Sequence, residues 1–520
     1  MTVKWFLRGQ YIVRLFVPLM AVGLGSLPSA LYGQARMLAD INLGPESSDP
    51  ISKTDYAGAL YFSADDGIHG RELWRYDPDT DEATLVADIN PGRYSSGPAS
   101  LFVFNNQLFF AAADFIHGSE LRRYDAATGE VTLVADIYAG PHSSGPSFLV
   151  HYNDQLYFTA DVHATYDRDS ARPELWRYDP ATDEITQVGA VSVASGFFTI
   201  YQLTVYNNRL YFRATTSPYG SELWSYDAAT NQAALVADIR PGSGGSFLFH
   251  PTVYQGRLYF SAKDSTQDWK LWSHDAASGE TVLVVEVNGG PQPAFPNHLA
   301  VYDGALYFTL AGRRRERLWR YQAATGEASL VTLPPGDDYD EFTKLIPYNE
   351  GLYFGLDDDA EHGSELWRYD AATDTTTLVA EIVAGPEGSR ASWLAVAHDR
   401  LYFTANDGNT GRELWSYTAP LEVSVESDEE VPATHVLSPA YPNPFRTTTR
   451  FTLTVAHRQH VRVAVFDGLG RRRHVLYDGS MPAGSARPFT LSGHTLPSGL
   501  YLLRITGERF LATRPVLLMR

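Results

Sequence analysis

Glu72-Leu73-Trp74-Arg75-Tyr76-Asp77 is a hexapeptide that keeps returning along the chain. Its tryptophan comes back at Trp176, Trp224, Trp272, Trp319, Trp367 and Trp415, and Arg122 holds the place once. The spacing is about 48 residues, with one longer step of about 54, a period that belongs to propellers and solenoids. If the hexapeptide is a strand, Glu72, Trp74 and Tyr76 project to one face and Leu73 and Arg75 to the other. A tryptophan turned towards a neighbouring repeat buries about 150 to 250 Å², worth roughly 4 to 6 kcal/mol at most. Packing alone therefore accounts for its recurrence.

Four short alternating runs surround each hexapeptide, the pattern of half-buried strands. In the second repeat they are Ser100 to Phe104, Leu108 to Ala111, Glu120 to Tyr124 and Val131 to Ala135, separated by turn residues such as Asn105-Asn106, His117-Gly118 and Thr128-Gly129. The second run occurs eight times, beginning with Leu60-Tyr61-Phe62 and ending at Leu401. The fourth follows the first seven hexapeptides but not Trp415, and its missing copy, Met37-Leu38-Ala39-Asp40-Ile41, stands at the other end of the repeats. The expectation is an all-β fold: an eight-bladed β-propeller over 36–418, closed by the N-terminal strand, which leaves no free edge in the last blade.

His69-Gly70-Arg71-Glu72-Leu73-Trp74 and Leu85-Val86-Ala87-Asp88-Ile89 resemble a bacterial repeat named for its Glu-Leu-Trp-x-x-Asp-Gly-Thr signature. The turn differs, reading Asp77-Pro78-Asp79-Thr80 or Asp227-Ala228-Ala229-Thr230, and is closer to kelch and quinoprotein repeats. The resemblance implies the propeller and no activity.

The 520 residues contain no cysteine, which removes disulfides, thiolate metal sites and cysteine nucleophiles, as well as the vicinal cysteine pair of many quinoproteins. The formal charge is -20. Residues 1–35 carry roughly +3 and residues 435–520 roughly +9, leaving roughly -32 between them. Such a surface repels phosphate backbones, so nucleic acid is not an expected partner.

Lys4, Arg8 and Arg14, the apolar run from Leu15 to Leu27 and Gly33-Gln34-Ala35 have the layout of a signal peptide over 1–35, cleaved between Ala35 and Arg36. The apolar run is too short to span a bilayer, and no later segment is long and apolar enough. Residues 419–434, with Pro420, Pro432 and a cluster of acids, read as an exposed acidic linker. Alternating runs at Arg450 to Val455, Val461 to Phe466 and Leu500 to Ile505 then read as a small Ig-like β-sandwich over 435–520. Four motifs there resemble the C-terminal sorting domain of the type IX (Por) secretion pathway. They are Tyr441-Pro442-Asn443-Pro444-Phe445, the turn from Val465 through Asp467 and Gly470 to Arg471, the strand from Ser498 through Gly499 to Tyr501, and the end Val516 to Arg520. The resemblance implies passage across the outer membrane, recognition by the type IX machinery, and then removal of the domain, leaving the protein secreted or on the cell surface.

Motif chemistry is sparse. His69, His117 and His362 occupy equivalent loops of different repeats, and equivalent positions around a ring cannot meet one ion at the roughly 2.0 to 2.1 Å that zinc needs. Loop hydrogen bonding is the alternative. Asp65-Asp66-Gly67, Asp357-Asp358-Asp359 and Asn406-Asp407-Gly408 do not fit the spacing of a calcium loop with its terminal Glu. They read as solvated turns, with weak calcium binding as the other reading, and no cofactor is expected. No nucleophile elbow, His-Glu-x-x-His or phosphate loop occurs.

Function is expected where the repeat breaks. The third repeat has a long loop with His163, Tyr166, Arg168 and Arg172, the fifth replaces His-Gly with Thr266 to Lys270 around Trp269, and the sixth inserts Arg313-Arg314-Arg315. Loops between repeats add Phe197, Phe198, Phe247, Phe249 and Phe295. Tyr166, Arg168, Phe247, Phe249, Trp269, Arg313 and Arg314 are thus the candidate ligand-binding residues, aromatic and cationic groups suited to a glycan or protein. The expectation is a monomeric extracellular binding protein. An extracellular propeller hydrolase or lyase is the alternative, and a structural surface-layer component the third reading.

Overall fold

The computed structural model describes residues 34–162, 172–192, 196–285, 295–311, 316–334, 342–358 and 362–419, then 435–519 without 439, 444, 468–470, 485, 495, 508 and 509. Residues 33–419 form one compact unit and the C-terminal residues from 420 belong to another. The signal-peptide segment up to residue 33, the linker stretch 420–434, and Tyr166, Arg168, Arg313, Arg314, Pro444 and Gly470 lie outside the described residues.

The larger unit is all-β, with a single 3-10 turn at Gly189–Val191 among its described residues. Eight four-stranded antiparallel sheets follow one another, here numbered in chain order. Sheet 1 comprises Ile51–Tyr56, Ala59–Asp65, Arg71–Asp77 and Glu82–Ala87. Sheet 8 takes Ser392–Ala397, Arg400–Asn406 and Arg412–Thr418 from the end of the unit, and its outermost strand, Gln34–Ala39, from the beginning. Met37 pairs with Trp415, so the displaced fourth run does complete the last sheet. Gln34 and Ala35 also pair, with Thr418 and Tyr417, so a cut before Arg36 would shorten this strand by two residues.

The first strand of each sheet lies against the first strand of the next, and that of sheet 8 against that of sheet 1. Each of the eight joins encloses its own apolar cluster. Between sheets 1 and 2 it holds Tyr61, Leu73, Leu108 and Phe110, and between sheets 8 and 1 Leu60, Phe62, Tyr76, Tyr402 and Leu414. Sheets set around a ring in this way constitute a β-propeller. Second strands are covered on both faces, so Leu60, Tyr61 and Phe62 are all buried. The hexapeptide strand is one place further out, where radiating sheets diverge, and its burial is correspondingly patchier. Trp74, Trp176, Trp224, Trp272 and Trp319 are only half-buried, while Trp367 and Trp415 are buried. Leu73 and Tyr76, fully buried on opposite faces, anchor the packing more than the tryptophan does.

Polar ties reinforce the joins. Tyr56 at the end of an inner strand donates to the Asn106 carbonyl of the next sheet at 2.9 Å and accepts from the Ala126 amide at 3.1 Å. Tyr152, Tyr206, Tyr254, Tyr302 and Tyr348 repeat the arrangement. At the join of sheets 8 and 1 the corresponding residue is Ala397, and an ion pair of Arg36 with Asp81 and a hydrogen bond from Lys53 to the Trp393 carbonyl bridge the two sheets.

In the C-terminal unit a three-stranded sheet (His435–Leu437, Thr448–Val455, Arg487–Ser492) and a four-stranded sheet share one apolar core. The four-stranded sheet contains Gln459–Asp467 and Gly499–Gly507 at its centre, flanked by Arg472–Met481 and Leu511–Leu518. The three expected runs are strands, and the final apolar stretch is a fourth, paired along Gly499–Gly507. Phe445 is buried in the core, and Asn443 ties the segment to the last strand by accepting from the Leu517 amide at 2.8 Å and donating to the Pro515 carbonyl at 3.0 Å. The Tyr501 hydroxyl donates to the Pro497 carbonyl, and Asp467 receives Arg471 and Arg473. Tyr441 faces outward, at 80% exposure, and Pro442 and Asn443 are exposed beside it.

Candidate functional site

Perturbed carboxylates usually flag chemistry, but here they are structural. The hexapeptide glutamate folds onto the link to the next sheet: Glu72 accepts from the Ser96 hydroxyl at 2.5 Å, the Ser96 amide at 2.9 Å and the Ile89 amide at 3.0 Å. Glu120 with Ser144, Glu222 with Ser246 and Glu365 with Ser389 repeat the staple at a separation of 24 residues. Burial raises the pKa of all of these glutamates, and pushes Glu222, and Glu413 with its partner Ser48, up to about 7, against the pull of the serine and amide donors. The serines were not singled out from the sequence, although their spacing of 24 residues from a repeated Glu is legible there.

The loops joining second and third strands lie on the links between sheets. Gly70 adopts φ +72°, and a Cβ there would stand 2.9 Å from the Ser95 nitrogen, so glycine is required for the approach. Within these loops His69 bonds Asp66 at 2.7 Å, His117 bonds Asp114 at 3.0 Å and His362 bonds Glu381 at 3.2 Å. Asp66 and Asp407 use one carboxylate oxygen each to cap the amides of their own turns. No cluster of three or more metal-ligating side chains occurs among the described residues.

Sheets 4 to 6 carry a different arrangement. Tyr201 and Phe249 hold the same register position in the inner strands of sheets 4 and 5, paired with Arg213 and Ser261 respectively. Arg213 rises between the two rings, its guanidinium carbon 4.7 Å from the Tyr201 centroid and 4.6 Å from that of Phe249. At the matching second-strand position other sheets have Ser63, Ala111, Thr159, Ser261, Thr309, Gly355 and Thr404. Phe249 continues to Trp269 at 5.5 Å and Trp269 to Phe295 at 5.8 Å between centroids. The Lys263 ammonium stands 5.1 Å from the Trp269 ring and 5.8 Å from the Phe247 ring, within cation–π range. Phe247 is 41% exposed and left-handed, at φ 53°, where the equivalent links have Gly97 and Gly145 in two cases and Asp49 and Arg390, also left-handed, in two others. An exposed aromatic in that conformation costs of order 1–2 kcal/mol and gains no core packing.

Beside the rings, His250 and His298 occupy bulges of the inner strands of sheets 5 and 6, 6.3 Å apart. Burial lowers His250, and burial with His250 and Lys344 nearby pushes His298 down to about 4, so both are neutral donors and acceptors at ordinary pH. Three of the sequence candidates, Phe247, Phe249 and Trp269, are thus brought together. Arg213, Tyr201, Lys263 and the two histidines lie on strands, away from the loops in which the sequence shows its broken repeats.

Some expectations are corrected. Phe197, Phe249 and Phe295 begin inner strands and are not loop residues, since the strands of these sheets start earlier than their alternation suggests. Phe197 is buried 4.8 Å from Trp224 and belongs to the core. Lys270, beside the candidate Trp269, is held by Asp264 at 2.6 Å.

No protein-family model and no curated relative matches the chain. Similar solved structures include a prolyl endopeptidase (TM-score 0.47, 9% identity, covering 80% of this chain and 55% of that one). Others are an oligogalacturonate lyase in complex with manganese (0.42, 16%, 75% and 94%) and the β-propeller domain of the Trilobed protease from Pyrococcus furiosus (0.39, 12%, 65% and 98%). The chain spans little more than half the length of the prolyl endopeptidase it matches. At such scores and identities the likeness carries nothing about activity.

Proposed function

We propose that this chain is an exported eight-bladed propeller that binds a glycan or protein outside the cell. Its Ig-like C-terminal unit then serves as a type IX sorting domain, and the leader segment as a signal peptide. The repeat resembles the Glu-Leu-Trp family, and Tyr441, Asn443, Phe445, Asp467, Gly499 and Tyr501 stand where the sorting motif has its marked residues. The observation that carries the binding reading is the run Phe247, Phe249, Trp269 and Phe295 with two cations among the rings, on three adjoining sheets where the repeat is broken. Aromatic faces bind the C–H faces of sugars and the apolar parts of peptides, and the cations orient polar substituents.

The test is retention of the purified full chain on a glycan array and a peptide array, with Trp269→Ala and Phe249→Ala beside it. Saturable retention lost in both variants at unchanged melting temperature is the expected result. Retention indifferent to both variants would discard this surface.

A further inference from the structure

We infer that the site on sheets 4 to 6 recognises an acidic sugar residue of a glycan, with Arg213 and Lys263 holding its anionic substituent and Trp269 and Phe249 its ring. This rests on the glycan-binding reading above and narrows it.

The Arg213 guanidinium has five N–H donors, and among the described residues its one side-chain hydrogen bond is a long one, 3.5 Å to the Leu248 carbonyl. Neither Arg213 nor Lys263 has a carboxylate partner among the described residues. Several other part-buried cations of the unit are occupied: Arg122 by Asp114, Lys270 by Asp264, Arg412 by Asp49, and Lys53 by the Pro50 carbonyl, the Trp393 carbonyl and the Thr404 hydroxyl. A guanidinium clamped between two rings, with its donors unspent in a domain so rich in acids, is unexpected unless an anion is supplied from outside. Burial already lowers its pKa.

Two chemistries fit a cation pair beside aromatic faces: a carboxylated pyranose and a sulfated one. Both present an apolar ring face and one anionic group, and a single charge per contact escapes most of the repulsion from the roughly -27 of residues 36–418, since distant charges are screened beyond about 8 Å. A polyanionic peptide offers no flat C–H face for Trp269 and would meet that repulsion along its length.

The experiment is isothermal titration of the full chain with four probes: a glucuronate-containing tetrasaccharide, a sulfated galactan tetrasaccharide, cellotetraose and tetraglutamate. Arg213→Ser restores the residue of sheets 1 and 5, and Lys263→Ala removes the second charge; near-ultraviolet circular dichroism checks that both fold. Expected is binding of a charged tetrasaccharide that weakens with added salt, drops about tenfold or more in Arg213→Ser and less in Lys263→Ala. The stronger of the two charged sugars names the substituent. Equal binding of cellotetraose, or charged-sugar binding untouched in both variants, overturns the inference while leaving glycan binding intact. Binding of tetraglutamate alone overturns it in favour of a peptide ligand. If no sugar binds, both readings fall.

Discussion

The Glu413 carboxylate accepts the Ser48 hydroxyl at 2.5 Å and the Ser48 amide at 2.9 Å, joining residues 365 positions apart. Elsewhere the same staple spans 24 residues, as in Glu72 with Ser96. The link that other sheets make to their successor along the chain is here made across the opening of the ring. Removing the donor leaves a buried carboxylate short of a partner, so Ser48→Ala is expected to lower unfolding free energy by about 1–3 kcal/mol, measured by urea denaturation. A loss under about 0.5 kcal/mol would mean that the closure does not depend on this pair.

Deleting Gln34 to Ala39 should do more. It strips the outer strand from sheet 8 and exposes the backbone edge of Arg412–Thr418. Exposed edges recruit other chains. Size-exclusion chromatography is expected to show oligomers, and melting to begin at lower temperature; an unchanged monomer would assign closure to the apolar cluster alone.

Stability should also fall as pH rises through neutrality. Glu222 and Glu413, near 4.5 when unfolded, stand at about 7 in the folded protein, so between those values the native state binds more protons than the unfolded one. Their contribution is complete below about 4.5 and is lost as pH passes about 7. At the acid end the sign reverses. The amides of Ile116 and His117, the His117 ring and Arg122 hold Asp114 down to about 2 against the opposing effect of burial, so its contribution disappears as pH falls from about 4 towards 2. Denaturation midpoints at pH 4.5, 6 and 7.5 should decline in that order, and less steeply in Glu222→Gln. A profile rising from 4.5 to 7.5 would contradict the assignment.

Leu223→Ala should cost about 2–5 kcal/mol, since Leu223 is fully buried between sheets 4 and 5. Trp224→Ala should cost less, about 1–3 kcal/mol, because its side chain is less completely buried than that of Leu223. Denaturation of the two variants side by side decides, and the reverse order would restore the tryptophan as the principal anchor.

In the C-terminal unit, Phe445→Ala should cost about 3–5 kcal/mol, whereas Tyr441→Ala, exposed at 80%, should leave melting unchanged. If the unit is read by an export machinery, Tyr441→Ala lowers the amount reaching the culture medium of a type IX-competent host. Wild-type export of that variant would leave Tyr441 without the recognition role.

The repeated Glu-Leu-Trp and Leu-Tyr-Phe runs were enough to place the sheets, because alternation and turn residues act locally and a period of about 48 residues reports one supersecondary unit at a time. The missing fourth run even marked Met37 to Ile41 as the partner of the last sheet, where the paired strand is Gln34–Ala39. What could not be read was which repeated residue does which work. Trp74 looked like the anchor, yet Leu73 and Tyr76 are the buried ones, because coverage depends on how radiating sheets diverge and not on side-chain size.

The site shows the same division. Trp269 and Phe249 were visible as departures from the repeat, and so, in principle, was Arg213 among serines, alanines and threonines. That Arg213 lies between Tyr201 and Phe249 is a fact of two strands meeting across a sheet boundary, some 36 to 48 residues apart in the chain. Composition, period and strand order are local properties, and the sequence by itself determined them. Which cation is left without an acid is settled by every neighbour at once, and only the tertiary structure decided it.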